Sequence, residues 1–273
     1  MKKNKALLLS GPYIVFMLIF TLIPLGVVAV YAFTDPETGA FTFNNMAQIK
    51  DYLPALTRSV GYAFIAAIIC LLMGYPVAYF IAHRKPLTQK ILYFLVMLPM
   101  CMSFLLRTMA WVGLLQDTGI INNILEVTGI GRIKLIRTPA AVVLGMVYNY
   151  LPYMILPLYA ILVKIDNRLI EAAEDLGCCS RQVFSKVVLP LSVPGILSGI
   201  TMVFVPAVST FYISQKLGNA QTVLIGDIIE RQFKQGQNPN LGSALSLVLM
   251  ILVFVCTGIM NRFGSDEEGG VVA

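Results

Sequence analysis

The sequence has 273 residues, 58% of them hydrophobic and only 12% charged, with a formal net charge of +6. A soluble domain carries about a quarter of its residues as charges, so this composition excludes one and points to a chain embedded in lipid. In a soluble chain the positive balance would suggest nucleic acid, but here the Lys and Arg residues are scattered singly between apolar runs, where they act as topology determinants.

A helix crossing about 30 Å of hydrocarbon needs roughly 20 apolar residues. Six stretches qualify: approximately Ala6 to Phe33, Ser59 to His83, Ile91 to Leu115, Pro139 to Val163, Leu191 to Ile213 and Leu241 to Met260. The expectation is an all-α polytopic membrane protein with six transmembrane helices, residues 1–273 forming a single transmembrane domain. Residues 1–33 hold the first helix, 59–262 the core region, and 263–273 an acidic, flexible tail.

The first stretch follows Lys2, Lys3 and Lys5 and ends at Val30-Tyr31-Ala32, a sequence that a signal peptidase accepts. Its apolar run exceeds the roughly 7–15 residues of a signal peptide, so an uncleaved helix is expected. With the N-terminus inside, the inner segments carry Lys2, Lys3, Lys5, Arg84, Lys85, Lys90, Lys164, Arg168, Arg181, Lys186 and Arg262. The outer segments carry Lys50, Arg58, Arg132, Lys134, Arg137, Lys216, Arg231 and Lys234, fewer than the inner set. The short basic turn His83-Arg84-Lys85-Pro86 adds to this bias, and both termini are expected on the cytoplasmic side.

All fourteen acidic residues, from Asp35 to Glu268, fall outside the six stretches. That leaves no intramembrane carboxylate to couple a proton or sodium gradient, and no internal repeat is visible, which argues against an ion-coupled carrier. The five cysteines have neither disulfide nor metal spacing, and His83 is the single histidine. A membrane-embedded enzyme would need clustered catalytic side chains that are absent, so a non-enzyme without a metal is expected.

The segment 165–190, between the fourth and fifth stretches, reads as two short helices. Asp166 is placed to cap the first, Leu169, Ala172, Ala173 and Leu176 recur on one face, and Gly177 supplies the stop. Ser180 is placed to cap the second, whose Val183, Phe184, Val187 and Val188 make an apolar face before Pro190. From spacing alone this is either an amphipathic connector on the lipid headgroups or a docking element.

Glu171-Ala172-Ala173, then Gly177, then Val187-x-Leu189-Pro190 resemble the EAA loop of the permeases of ATP-binding-cassette (ABC) importers. The resemblance implies a type I importer permease fold in which 165–190 forms cytoplasmic coupling helices. It puts Glu171, Ala172, Ala173, Asp175, Gly177, Leu189 and Pro190 against a separate ATPase subunit. No GxxxxGK[ST] run is present, so ATP and Mg are expected on that partner and no cofactor on this chain. Cys178 and Cys179 stand where the family more often has other small residues. The resemblance also implies a second, PotC-like permease subunit, an extracytoplasmic solute-binding protein and a multi-pass location in the bacterial cytoplasmic membrane.

Phe41-Thr42-Phe43-Asn44-Asn45, Gly74-Tyr75-Pro76-Val77-Ala78-Tyr79, Tyr148-x-x-Leu151-Pro152-Tyr153 with Pro157-Leu158, and Pro190-Leu191-x-x-Pro194-Gly195-Ile196 look like the polyamine (spermidine/putrescine) permeases. Permeases for thiamine, iron and sulfate share parts of these segments, so those cargoes stay open. An extended polycation asks for aromatic faces beside its methylenes and carboxylates at its amines. Tyr148, Tyr150, Tyr153, Phe211 and Tyr212 are candidates for lining the pathway, or they pack and anchor at the interface. Asp227 and Glu230 are candidates for guiding a cation, or they lie on a solvated helix. Pro76, Pro99, Pro152, Pro157, Pro194 and Pro206 stand where each removes a helical hydrogen bond and permits a kink. Arg107, about 24 Å along its stretch, falls near the outer interface, where snorkelling gives it a structural role; a gate or substrate role is the alternative.

Overall fold

In the computed structural model, residues 15–36, 38–129, 131–234 and 238–268 are described. The start of the first stretch, residues 6–14, and the tail end, 269–273, lie outside the described residues. The elements are helical: α1 (Val15–Ala32), α2 (Asn44–Ala82), α3 (Pro86–Met97), α4 (Phe104–Leu115), α5 (Ile120–Val127), α6 (Pro139–Leu162), α7 (Asn167–Asp175), α8 (Ser180–Val208), α9 (Tyr212–Leu217), α10 (Ile225–Lys234) and α11 (Pro239–Glu268). α1, α2, α6, α8 and α11 are each long and apolar enough to cross a membrane. α11 runs into the 263–273 segment as far as Glu268.

The chain divides into two units, residues 1–54 with 228–252, and residues 55–227 with 253–273. In the first, Phe33, Phe41 and Phe43 cluster with ring centroids 5.1–5.8 Å apart. The buried Asn45 amide donates to the carbonyls of Ala32 (3.2 Å) and Thr34 (3.0 Å), and Asn240 also donates to the Thr34 carbonyl. These bonds satisfy carbonyls freed at the end of α1.

The second unit is organised on α6 packed against α8. Small residues permit the close approach: a Cβ on Gly199 would lie 2.6 Å from Met154 Sδ, and one on Gly195 would lie 3.0 Å from Ile161 Cγ1. In lipid there is little hydrophobic drive between helices, so such backbone-close contact carries the association. α2 adds a stripe of small residues with little or no exposure, Ala63, Ala66, Ala67, Cys70 and Ala78, and Tyr75 Oη is 2.9 Å from Ser192 Oγ on α8.

Two expected spans and one expected helix end differ from the structure. Ile91 to Leu115 is not one helix: Pro86–Cys101 and Phe104–Val127 meet at a bend of 86°. Pro99 tightens the chain into a 3₁₀ turn, Leu98–Cys101, and Met102 and Ser103 leave the helical region with ψ of 149° and 130°. Leu191 to Ile213 is interrupted at residues 209–211 between α8 and α9. The second short helix of the 165–190 segment does not stop at Pro190; it is the start of α8. A π-helical turn, Phe184–Val188, widens the backbone there and accommodates a residue that lacks an N–H.

Gly199→Val is expected to destabilise the protein by about 1–3 kcal/mol, because the added methyls must displace Met154 in a packed seam. Gly61, with nothing within 4 Å of a built Cβ, is the control position for Ala. Thermal unfolding in detergent checks the pair: the Tm of the Val variant falls and that of Gly61→Ala does not.

Candidate functional site

The 165–190 segment starts on a cap. Asp166 has extended ψ, 125°, and its side chain accepts from Arg168 N at 3.0 Å, satisfying one of the free donors of α7. α7 ends in a complete Schellman arrangement: Cys178 N donates to Ala173 O (3.1 Å) and Gly177 N to Glu174 O (2.8 Å). Gly177 holds φ +84°, which explains glycine here without appeal to space, since a Cβ would meet nothing within 4 Å. Cys179, not Ser180, is the N-cap of α8, and its N–H donates to Gln182 Oε1 at 3.0 Å. The reciprocal Gln182 bond needs a glutamine three residues into the helix, which selects Cys179 over Ser180.

The two apolar faces have opposite fates. Val183 and Val188 are buried, and the Phe184 ring sits 5.7 Å from both Tyr75 and Tyr79, edge-on to each, which ties the start of α8 to α2. On α7 the expected face is largely uncovered: Leu169 is 49% exposed and Leu176 86%, with Ala172 exposed and Ala173 half-buried. Glu171, Asp175, Gly177, Leu189 and Pro190 are exposed as well. Ile170 turns inward instead, lining a cavity of about 230 Å³ with His83, Arg84, Gln89 and Val188. Arg84 is held by stacking, its Cζ 3.9 Å from the Phe80 centroid.

The candidate pathway residues separate into two groups. Tyr148 and Tyr150 lie about 200° apart on α6, at about 100° per residue. Tyr148 packs on Trp111 (5.3 Å, edge-on) and lines an apolar cavity of about 600 Å³ with Tyr62 and Met73. Tyr150 is buried; its hydroxyl donates to Pro206 O at 3.2 Å and shares a hydrogen bond with Thr210. Tyr153 stands beside it, ring centroids 6.3 Å apart, and is 37% exposed. Phe211 is exposed at the break between α8 and α9, and Tyr212 faces Phe104 at 6.2 Å with Lys216 Nζ 5.7 Å from its centroid.

The acids are not on a freely solvated surface. Asp227 is 2% exposed in the first turn of α10 and accepts from Leu224 N at 2.9 Å. Glu230 pairs with Lys234 at 2.6 Å. Arg107 does not snorkel: it is 6% exposed, on the inner face of α4, within electrostatic range of Tyr150. The chain bends by 86° before α4, so Arg107 does not continue the line of α3 as it would in an unbroken helix. Sequence reading did not single out Thr210 or Trp111; the only signal for Thr210 was its place after Pro206 near the end of an apolar run.

A model of the family described as "Binding-protein-dependent transport system inner membrane component" matches residues 74–265. The chain belongs to this family. It is 38% identical over 256 residues to the spermidine/putrescine transport system permease protein PotB of Haemophilus influenzae, covering 90% of each chain. To the protein of that name from Escherichia coli K12 it is 36% identical over 217 residues, 78% of this chain and 79% of the other. Among solved structures, a bacterial ABC transporter involved in the import of the acidic polysaccharide alginate matches with a TM-score of 0.81 at 18% identity, covering 97% and 99%. The MetNI methionine ABC transporter matches at 0.62 and 17% identity, covering 79% and 95%. The fold is therefore that of the ABC importer permeases, and the chain is a transport subunit of the inner membrane.

Gly177→Val is expected to cost about 1–2 kcal/mol of local helix stability, because a β-branched residue at positive φ is strained, whereas Gly177→Asn costs less. Hydrogen exchange at the amides of residues 176–178 checks this: protection falls sharply for Val and little for Asn.

Proposed function

We propose that this chain forms half of the translocation pathway of an ABC importer for polyamines, spermidine and putrescine, delivered by an extracytoplasmic solute-binding protein. The carrying observation for the cargo is the 38% identity over nine-tenths of both chains to a spermidine/putrescine permease. The exposed Tyr153 and Phe211 and the half-buried Tyr212 support it, since aromatic faces suit the methylenes of a polyamine. Thiamine, iron and sulfate have no observation in their favour.

The segment 165–190 is the coupling element, and its partner is a separate ATPase that holds ATP and Mg. Leu169 and Leu176 support this reading: the chain leaves an apolar helix face bare, flanked by Glu171, Glu174 and Asp175. A groove on another subunit would bury that face, at about 1.5–3 kcal/mol for each leucine. Ala172 and Ala173 allow close approach. Both termini then lie in the cytoplasm with the first helix retained, and a second, PotC-like permease completes the pathway.

Leu176→Glu is expected to reduce ATPase association by roughly tenfold or more, from the lost burial of one leucine. Co-purification of the ATPase and stimulated ATP hydrolysis both report it; unchanged association counts against docking through α7. For the cargo, the transporter reconstituted in vesicles with its binding protein takes up spermidine on ATP addition, with competition by putrescine and none by thiamine, ferric iron or sulfate. Uptake that ignores ATP, or a transporter that ignores polyamines, overturns the corresponding half of the proposal.

A further inference from the structure

Arg107 is buried without an ion-pair partner among the described residues. Its Nε and Nη1 meet no hydrogen-bond partner, and no described carboxylate forms an ion pair with it. Stranding a guanidinium in a protein interior is strongly unfavourable, so an unmatched one calls for an explanation. Its surroundings give one. The charge interacts with the Tyr150 phenol, which is bound to Pro206 O and Thr210 where α8 breaks before α9. One turn earlier on α4, Phe104 faces Tyr212 at 6.2 Å; one turn later on α6, Tyr153 is 37% exposed beside Tyr150. The unmatched charge therefore sits one turn from the ring that faces Tyr212 and within electrostatic range of Tyr150, the neighbour of the exposed Tyr153.

We infer that Arg107 is a specificity-determining charge barrier: a fixed positive charge beside the pathway that keeps free cations from leaking through the resting permease. The inference rests on the reading of Tyr153, Phe211 and Tyr212 as pathway. A buried charge is screened far less than a surface one, and its field reaches across the distance of a few side chains. Fixed positive charge beside a pore is a general means of excluding cations. The two unpartnered nitrogens are donors directed at no acceptor in this conformation. A conformation that brings a carboxylate to these nitrogens would neutralise the charge and let a polyamine pass, so the barrier is lowered only during the driven cycle.

The test is passive efflux, without ATP, from vesicles holding the assembled transporter with wild-type chain, Arg107→Gln, Arg107→Met or Arg107→Lys. Rubidium and chloride are the probes, and stimulated ATP hydrolysis verifies assembly. Removing the charge is expected to raise rubidium efflux roughly tenfold while chloride efflux stays unchanged, and the Lys variant stays tight. Either neutral variant assembling as tight to rubidium as wild type overturns the inference. An equal rise for chloride overturns it too, since that is general loosening. Spermidine uptake by the wild-type vesicles reads the cargo assignment separately: no uptake with the rubidium pattern intact sinks polyamine as cargo and leaves the barrier standing.

Discussion

The close approach of α6 and α8 is the constraint on which the second unit depends. Gly195 and Gly199 bring two backbones into contact with Ile161 and Met154, at distances that no side chain would tolerate without a shift. That seam sets the direction in which Tyr150 points, and so its bond to the Pro206 carbonyl. It also aligns Ser192 with Tyr75, which brings α2 onto the pair. Close packing rather than apolar burial carries this assembly, as expected where the surrounding solvent is itself apolar. The prolines fit the same picture: Pro152, Pro157, Pro194 and Pro206 stay inside helices, where neighbouring helices support the interrupted ladders.

Helix existence was legible in the sequence because it depends on length and hydropathy alone. Pro139 to Val163 and the Asp166 cap, the Gly177 stop and the Val183/Val188 face all have local causes: a cap needs one side chain, a stop one residue able to take positive φ. The bend at Met102 and Ser103 and the break at Ser209–Phe211 were not legible. Both occur inside runs whose composition is uniform, where Pro99 and Pro206 mark that a kink is permitted but not that the helix ends a few residues later. Arg107 was misplaced for the same reason, since counting residues along a straight helix cannot anticipate an 86° turn. Cys179 was overlooked as a cap because its role depends on Gln182 reaching back, a feature of the pair and not of the residue.

The candidate site shows the same division. The face of α7 was readable as apolar, yet its exposure was not, because sequence periodicity says which residues share a side and not whether anything covers it. The aromatic residues of α6 were grouped by type; the structure sorts them by angle, sending Tyr148 to Trp111 and Tyr150 towards Pro206. Asp227 read as a cation guide or as part of a solvated helix, but its role as a cap for Leu224 draws it into the protein.

The π-helical turn at Phe184–Val188 has a mechanical consequence. Because it lets the helix run on past Pro190, the 29 residues from Ser180 to Val208 form one rod, about 44 Å long at about 1.5 Å per residue. Pro194 and Pro206 lie farther along the same helix and are its two points of permitted bending before the break at residues 209–211. The wider turn, clasped by Tyr75 and Tyr79 through Phe184, fixes the end nearest Cys179 to α2. Bending at the two prolines therefore moves the Val208 end relative to an anchored start.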